Sequence, residues 1–458
     1  MLPKESPPVI HFRILFVLLA LTLPKPAMGE PDFLALSKDI LIGTNAERTA
    51  AADTIVARGG TDMIPSLVLL MRIGGSHRIT RDALKRLTSQ DLPDWRAAMD
   101  YQQANPQITP HPSYYDLKLW YWGGIDADFR DLFPTPVDPA AMRIRFEEIT
   151  WGGALFDDIP PLDNPKRIAA KDADYLLEDD LVFGIEINGD ARAYPLRIMG
   201  WHEMFNEVIG GVPVALAYCT LCGAGILFET QVEGRDAHFI FGSSGLLYRS
   251  NKLMFDRDTQ SLWNQFTGEP VVGPLAHSGL KLKIRPTVIT SWKAWREAHP
   301  HTTVLSLETG HIRNYDSGFV YRDYFASPDL MFPALTDESR LRQKTYVYGI
   351  RTAGGAKAWP VDAFSQTPVI NDQVGFLNVV LLGDPTSRTV RAYDRRDWVF
   401  QDAKDGVTGP GGLWDVTETA LIGPHGERAP RVPGHITYWF AWDGYLGAQS
   451  ELYTPDSD

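Results

Sequence analysis

Cysteine is scarce in this chain, which contains only Cys219 and Cys222 among 458 residues. Two cysteines can form neither the multi-disulfide framework of a small secreted domain nor the four-cysteine shell of a structural zinc site. Long hydrophobic runs are also lacking. The apolar stretch 14–23 has ten residues, which is short of the roughly 20 that a membrane-spanning helix needs. We therefore expect no stable membrane span in the mature protein.

Positive charge is under-represented as well. The chain has 44 Lys and Arg against 57 Asp and Glu, for a net charge of -13. A surface of this sign repels phosphate backbones, so nucleic acid is not expected as a partner. No phosphate-binding glycine loop or dinucleotide fingerprint lies between a strand and a helix. The sequence thus indicates no nucleotide or flavin cofactor.

The first 29 residues have the three parts of a secretory signal peptide. Lys4 and Arg13 lie in a polar lead, the apolar stretch follows, and residues 27–29 (Ala-Met-Gly) form a small-x-small cleavage sequence before Glu30. This pattern predicts cleavage near Gly29/Glu30 and a periplasmic or secreted protein. Residues 1–29 carry three basic residues and one acidic residue, so their removal leaves a net charge of -15.

The rest of the chain divides by pattern into an α+β fold. Spaced apolar clusters predict an N-terminal helical, repeat-like layer over residues 30–105, which is a candidate surface for a protein partner. Residues 106–140 begin with proline and polar residues and are predicted to be a linker or connection. Alternating apolar segments with turn signals predict a mainly antiparallel β-rich domain over residues 141–458.

The β-rich domain contains an internal duplication. Residues 182–196 align with residues 347–361 without a gap, and seven of the fifteen pairs are identical. The same offset of 165 places Asn206 on Asn371. Two copies of one supersecondary unit are predicted, copy one at about 175–305 and copy two at about 340–450, with the repeat itself at about 182–300 and 347–445. Within copy one we expect a hairpin at residues 188–189, a short helix over 201–208, and strands over 212–218 and 225–230.

Residues that occur in only one copy are the better functional candidates. Under the ungapped offset Cys219 falls on Asp384, Cys222 on Ser387, His202 on Thr367 and Glu203 on Pro368. The two cysteines therefore occupy a turn that copy two fills with ordinary turn-forming residues. In contrast, Asn206 has a counterpart in copy two, which favours a structural role.

The cysteine turn has three interpretations that the residues alone leave open. Cys219 and Cys222 could bind a soft or borderline metal ion, with copper or zinc favoured and His202 and Glu203 completing the site. They could instead form a thiol-disulfide redox pair of a periplasmic protein. The third interpretation is a structural disulfide in a non-enzymatic binding or scaffold protein. The sequence does not decide whether the protein is an enzyme.

A second group of polar and aromatic residues follows the cysteine turn. With Asn206 they are candidates to line a pocket, although ion pairing at a strand edge is the preferred explanation for the charged members. The candidate pocket residues are Asn206, Tyr248, Arg249, Asp256, Arg257 and Trp263.

These motifs together resemble the bacterial domain-of-unknown-function 3179 family over about residues 145–365. The resemblance includes Trp201-His-Glu203, where His202 and Glu203 lie, and Tyr218-Cys-Thr-Leu-Cys-Gly223, where Cys219 and Cys222 lie. Thr220 stands where the resemblance leads us to expect a proline. The resemblance implies an exported protein and implies no particular activity.

Overall fold

The computed structural model describes residues 30–74, 77–404 and 406–455. The predicted signal peptide and its cleavage site before Glu30 rest on residues 1–29, which lie outside this range. Within the described chain, none of the helices is both long and apolar enough to cross a membrane.

An N-terminal helical layer is present, as the apolar spacing predicts. A capping box between Thr44 and Glu47 starts its second helix, and a run of buried apolar side chains forms its third. The layer comprises α1 (Phe33–Ile42), α2 (Asn45–Arg58), α3 (Ile64–Ile73), α4 (His77–Thr88), α5 (Trp95–Ala104), α6 (Ser113–Ile125) and α7 (Asp128–Asp131). Residues 106–140, predicted to be a linker or connection, contain α6 and α7. Leu117 and Trp122 of α6 are buried in the core of the helical layer, so α6 is part of that layer.

Copy one and the segment leading to it form three sheets and two helices. In chain order these elements are β1 (Ile149–Trp151), β2 (Leu162–Asp163), β3 (Arg167–Ala169), β4 (Leu181–Ile187), β5 (Asp190–Pro195), α8 (Leu196–His202), β6 (Met204–Ile209), β7 (Val212–Cys219), β8 (Ala224–Glu229), β9 (Phe241–Tyr248), β10 (Asn251–Asp256), β11 (Leu262–Asn264), β12 (Glu269–Val272), β13 (Lys283–Arg285), β14 (Val288–Ser291), α9 (Trp292–Ala298) and β15 (Thr303–Leu305).

The remaining elements belong to the connection between the copies and to copy two. They are α10 (Arg322–Ala326), β16 (Tyr346–Thr352), β17 (Gly355–Pro360), β18 (Val369–Val374), β19 (Leu377–Asp384), β20 (Thr389–Asp394), β21 (Gln401–Ala403), β22 (Gly406–Gly409), β23 (Gly412–Val416), β24 (Ala420–Ile422), β25 (Arg428–Val432), β26 (His435–Tyr438), α11 (Trp439–Leu446) and β27 (Ser450–Leu452). Short 3-10 helices lie at Thr61–Met63, Pro139–Ala141, Phe146–Glu148, Ala170–Asp172, Val361–Ser365 and Gly447–Gln449.

The topology confirms the duplication. In copy one the β4–β5 hairpin is flanked by antiparallel β14 and parallel β15, and in copy two the β16–β17 hairpin is flanked by antiparallel β26 and parallel β27. The antiparallel series β6–β7–β8–β13 likewise corresponds to β18–β19–β20–β25. Residue pairs Cys219↔Ala224 and Asp384↔Thr389 differ by the predicted offset of 165.

The residues that both copies share have the same packing role in each. Asn206 bridges β6 to the backbone of Phe241, and Asn371 makes the equivalent two hydrogen bonds with the backbone of Phe400. Gly184 and Gly349 each face the ring of a buried tryptophan, and a Cβ built there would lie 2.3 Å or 2.0 Å from it. The residues that both copies share therefore have a packing role and not a catalytic or binding role.

One local prediction is wrong. A short helix was expected over residues 201–208, but α8 spans Leu196–His202 and residues 204–209 form β6. Glu203 ends the helix in the left-handed conformation, with φ +55°, and Phe205 and Val208 then continue as a strand, as their β propensity favours. The predicted hairpin at Asn188 and Gly189 is confirmed, with φ +52° and +82°.

Candidate functional site

Cys219 and Cys222 form a disulfide at the tip of the β7–β8 hairpin. Both are buried, with 3% and 0% of their surface exposed. The turn between them docks on copy two, because the carbonyl of Cys222 accepts hydrogen bonds from the backbone N–H of Tyr438 (2.8 Å) and from Oγ1 of Thr437 (3.0 Å). Tyr324 donates to the carbonyl of Leu221 at 2.7 Å. The disulfide turn is thus held by hydrogen bonds from copy two and from the connection between the copies.

Glu203 lies beside this turn in a conformation that glycine usually adopts at a helix end. The left-handed backbone costs an L-residue about 1–2 kcal/mol. Its N–H donates to the carbonyl of Met199, and its own carbonyl accepts from the N–H of Tyr218, both at 2.7 Å. These bonds hold the backbone in place and direct the Glu203 side chain toward the disulfide turn.

The Glu203 carboxylate is held by three donors from three separate parts of the chain. Oε1 accepts from Oγ1 of Thr220 at 2.7 Å and from the hydroxyl of Tyr321 at 3.4 Å. Oε2 accepts from Nζ of Lys252 at 3.0 Å, and both side chains of this ion pair are buried. Burial raises the pKa of Tyr321, so its hydroxyl remains a donor at neutral pH. Thr220 belongs to the disulfide turn, which therefore positions part of the site directly.

Glu203 lines an open cavity of about 780 Å³, which we call the Glu203 cleft. Its walls are Gly152, Gly153, Ala154, Asp158, Ile159, Pro160, Gly200, Trp201, Ile312, Arg313, Asn314, Phe319, Val320 and Tyr321. The Trp201 ring stacks on Phe319 at 6.3 Å and donates from Nε1 to the carbonyl of Asn314 at 2.7 Å. An aromatic wall thus stands beside a buried carboxylate.

Both ring nitrogens of His202 have hydrogen-bond partners other than the sulfurs. Its Nδ1 lies 2.8 Å from the carbonyl oxygen of Pro160, and its Nε2 lies 2.6 Å from the hydroxyl of Tyr315. Since a carbonyl only accepts, Nδ1 carries the proton and Nε2 accepts from Tyr315. Burial lowers the pKa of His202 to about 4, so the ring is neutral. It ties α8 to the loop that supplies Asn314 to the cleft.

The structure brings Glu203 and the cysteine turn together, as the sequence predicts. His202 instead hydrogen-bonds to Pro160 and Tyr315. Among the residues described, no group of three or more His, Cys, Asp and Glu side chains is arranged to hold a metal ion. In the disulfide form neither sulfur is a thiolate, so the predicted copper or zinc site requires the reduced dithiol and stays a prediction.

The six residues predicted as candidates for a pocket form three pairs: Asn206 with Arg257 through Asp163, Asp256 with Trp263, and Tyr248 with Arg249. Asn206 also donates to Asp163, and Arg257 forms an ion pair with that same carboxylate at 2.6 Å. Asp256 closes a turn by accepting from Thr259 and from Nε1 of Trp263.

Trp263 packs against Phe239 and Phe241 in the core. The two remaining members lie near the helical layer. Tyr248 lies edge-on to Tyr445, and Arg249 pairs with the buried Glu148 and lines a different cavity of about 660 Å³. The charged members thus form ion pairs or close turns.

Sequence reasoning missed Lys252 and Tyr321. Lys252 lies within the polar stretch that follows the cysteine turn, where its buried neighbours on β10 mark it as a lysine in a buried strand. Tyr321 lies in the connection between the copies. This connection is not repeated, so Tyr321 could not be compared with an equivalent residue of another copy. Thr220, where a proline was expected, turns out to supply a hydroxyl to Glu203.

The chain belongs to a family described as proteins of unknown function, DUF3179, whose family model matches residues 156–449. The match extends beyond the predicted limit near residue 365 and includes both copies as well as the Glu203 site. No curated protein and no solved structure matches the chain.

Proposed function

We propose that the protein binds a small uncharged organic molecule in the Glu203 cleft, with the Cys219–Cys222 disulfide acting as a structural clip. The observation that carries this proposal is the buried Glu203 carboxylate, held by donors from three chain segments at the wall of an open cavity of about 780 Å³. Binding cavities of about 300–1,000 Å³ that combine apolar walls with a few fixed polar groups are typical of small-molecule sites.

The charges around the cleft balance. Glu203 is neutralised by Lys252, and the cleft contains one further carboxylate, Asp158, and one guanidinium, Arg313. A balanced site has no strong preference for an ion, whereas hydroxyl and amide groups can bind both kinds of polar partner. The Trp201 and Phe319 rings favour a ligand with a flat apolar face. A saccharide, with its hydroxyls and C–H faces, has this chemistry.

The burial of the sulfurs supports a clip in preference to thiol exchange. Exchange requires a thiolate to reach one sulfur of the disulfide, and both Cys219 and Cys222 are almost fully buried. The clip fixes the turn that carries Thr220, whose hydroxyl binds Glu203. We therefore connect the disulfide to ligand binding through the position of Thr220.

Titration calorimetry with uncharged and charged sugars tests the binding proposal. The uncharged probes are glucose, N-acetylglucosamine and cellobiose, and the charged probes are glucuronate and glucosamine. We expect saturable binding of at least one uncharged probe and about tenfold weaker binding by Trp201→Ala. Trp120→Ala is the matched control, because Trp120 is a partly exposed tryptophan in the helical layer. Failure of all uncharged probes, or tighter binding of the charged ones, would contradict the proposal.

The copper or zinc hypothesis has its own measurement. Protein reduced under anaerobic conditions is loaded with copper or zinc, desalted and analysed for metal content beside a Cys219→Ser, Cys222→Ser variant. Stoichiometric metal that is absent from the variant would establish a dithiol metal site. Equal metal content in both proteins would refute it.

A further inference from the structure

We infer that the protein has a second ligand site, in a cavity between the two copies, that binds a small organic anion. This inter-copy cavity has a volume of about 590 Å³ and is separate from the Glu203 cleft. Residues 281–284 of copy one form one side, and residues 349, 351–352, 377, 394 and 430–435 of copy two form the other. It does not depend on the function proposed for the cleft.

Positive charge is concentrated around this cavity in an otherwise acidic chain. Lys281, Lys283, Arg351 and Arg431 line it against one carboxylate, Asp394. The Asp394 carboxylate accepts a hydrogen bond from the backbone N–H of Arg396. The two lysines have exposed side chains that also form ion pairs with glutamates. Arg431 pairs with Glu418, so Arg351 is the one of the four cations without an ion pair among the described residues. In a protein of net charge -13, this unpaired guanidinium gives the cavity a local preference for an anion.

Arg351 is the strongest indication of a ligand. Within the described residues its side chain forms no hydrogen bond or ion pair, and its guanidinium lies 5.6 Å from the ring centroid of Phe266. Burial lowers the pKa of Arg351, and the nearby Tyr445 and Glu269 act in the opposite direction. A guanidinium has five N–H donors in a planar fork that matches a carboxylate or a phosphate. An anion in the cavity would supply the missing partner.

Two further buried nitrogens beside the cavity lack partners in the part of the chain that the structure describes. They are Nε2 of His435 and Nε of Arg431, and both residues are more than nine-tenths buried. Burial and the nearby Arg351 lower the pKa of His435 to about 3, so its ring is neutral. Unpartnered buried polar groups are rare because each costs about 1–3 kcal/mol. Neither nitrogen has accessible surface in the cavity, so a bound anion would contact Arg351 and not these two atoms.

Comparison of the copies supports a functional origin for this cluster. The strand registers place Arg351 on Glu186, Arg431 on Ile284 and His435 on Val288 of copy one. All three basic side chains are therefore confined to copy two. A requirement of the shared fold does not explain them, because copy one builds the same strands without them.

The apolar part of the lining defines the rest of the ligand. Leu282, Ile284, Leu377 and Val432 face the cavity together with two prolines. A carboxylate or phosphate group bound by Arg351 would thus extend into an apolar pocket, as in an aromatic acid or its phosphate analogue.

Calorimetry with benzoate, phenyl phosphate and inorganic phosphate tests the inference, with benzamide as the uncharged control probe. We expect wild-type protein to bind benzoate or phenyl phosphate but not benzamide. Arg351→Met should weaken this binding tenfold or more, because a charge-assisted hydrogen bond is lost. Tighter benzoate binding assigns a carboxylate ligand, and tighter phenyl phosphate binding assigns a phosphate ligand.

Three further results separate a binding role from a structural one. Arg351→Met should leave the melting temperature nearly unchanged, since the Arg351 side chain forms no hydrogen bond or ion pair within the described chain. Lys283→Met, on an exposed side chain, should fold normally and weaken binding by a smaller factor. Arg313→Met, in the Glu203 cleft, should leave anion binding unchanged. The inference is overturned if no organic anion binds, if inorganic phosphate binds as tightly as phenyl phosphate, or if Arg313→Met and not Arg351→Met abolishes binding.

Discussion

The buried ion pair between Glu203 and Lys252 gives the sharpest test of the site. Its atoms are 3.0 Å apart, and the exposed fractions of the two side chains are 10% and 4%. At this distance and an effective dielectric constant of about 20, the Coulomb attraction is about 5 kcal/mol. Glu203→Gln keeps the shape of the side chain but leaves the Lys252 ammonium buried without its counter-charge. We expect the free energy of unfolding to fall by about 3–5 kcal/mol.

The double variant Glu203→Gln, Lys252→Met should behave differently from the single one. It removes both charges together while nearly keeping the buried volume, and such replacements are usually neutral or stabilising. We expect its free energy of unfolding to lie within about 1 kcal/mol of the wild-type value. The double variant would then remain folded while lacking the charged group that we assign to ligand binding, so a loss of sugar binding could not be attributed to unfolding.

Urea unfolding, followed by circular dichroism and by tryptophan fluorescence, measures these differences. Asp258→Asn is the matched control, because the half-exposed carboxylate of Asp258 forms an ion pair of 2.7 Å with Arg235. Its loss should cost less than about 1 kcal/mol. The reasoning is refuted if Glu203→Gln is as mild as this control. It is refuted equally if the double variant loses the sum of the two single losses.

Three other predictions follow from local geometry. Because the folded-state pKa of His202 is about 4 and the unfolded value is about 6.5, only the unfolded state gains this proton between those values. The free energy of unfolding should therefore fall on acidification by up to about 1.4 kcal/mol per pH unit. His202→Gln should remove this contribution to the pH dependence of the urea midpoint, and the same pH dependence in the variant and the wild type would contradict the prediction. Replacing both cysteines by serine, or reducing the disulfide, opens the four-residue loop that it closes in the unfolded chain. The free energy of unfolding should then fall by about 2 kcal/mol in the same assay, and an unchanged midpoint would disprove the clip. Gly184→Ala and Gly349→Ala should each lower the melting temperature, at a cost of roughly 1–3 kcal/mol, because both meet a tryptophan ring, whereas Gly124→Ala, which meets nothing within 4 Å, should not.

The duplication was predictable because its signal is local and repeated. The glycine that both copies share at Gly184 and Gly349 is required by a tryptophan packed on the hairpin, and the same residues therefore recur at the same offset. Asn206 and Asn371 recur for a similar reason, since each fastens one strand to the next through two backbone hydrogen bonds. Packing of this kind is visible in one sequence when the sequence contains it twice.

The composition of the site was less predictable because its partners are distant in the chain. Lys252 is 49 residues from Glu203, and Tyr321 is 118 residues away. Neither distance has a periodicity that a sequence pattern could reveal. The helix predicted over residues 201–208 failed for a related reason: the end of α8 is set by the left-handed backbone of Glu203, which local propensity does not favour.

The two copies have kept one framework and differ in the groups attached to it. Glu207 of copy one accepts hydrogen bonds from Arg192 and Tyr194, and its counterpart Asp372 accepts them from Lys357 and Trp359.

This carboxylate network is thus common to both copies and belongs to the fold. The disulfide, Thr220 and Glu203 occur in copy one alone, and Arg351 and His435 occur in copy two alone. Since a shared framework explains neither set, each requires an explanation specific to its own copy. Binding of an uncharged ligand beside Glu203 and of an anion beside Arg351 provides one for each, and the two proposals can fail independently because they depend on different side chains, cavities and probes.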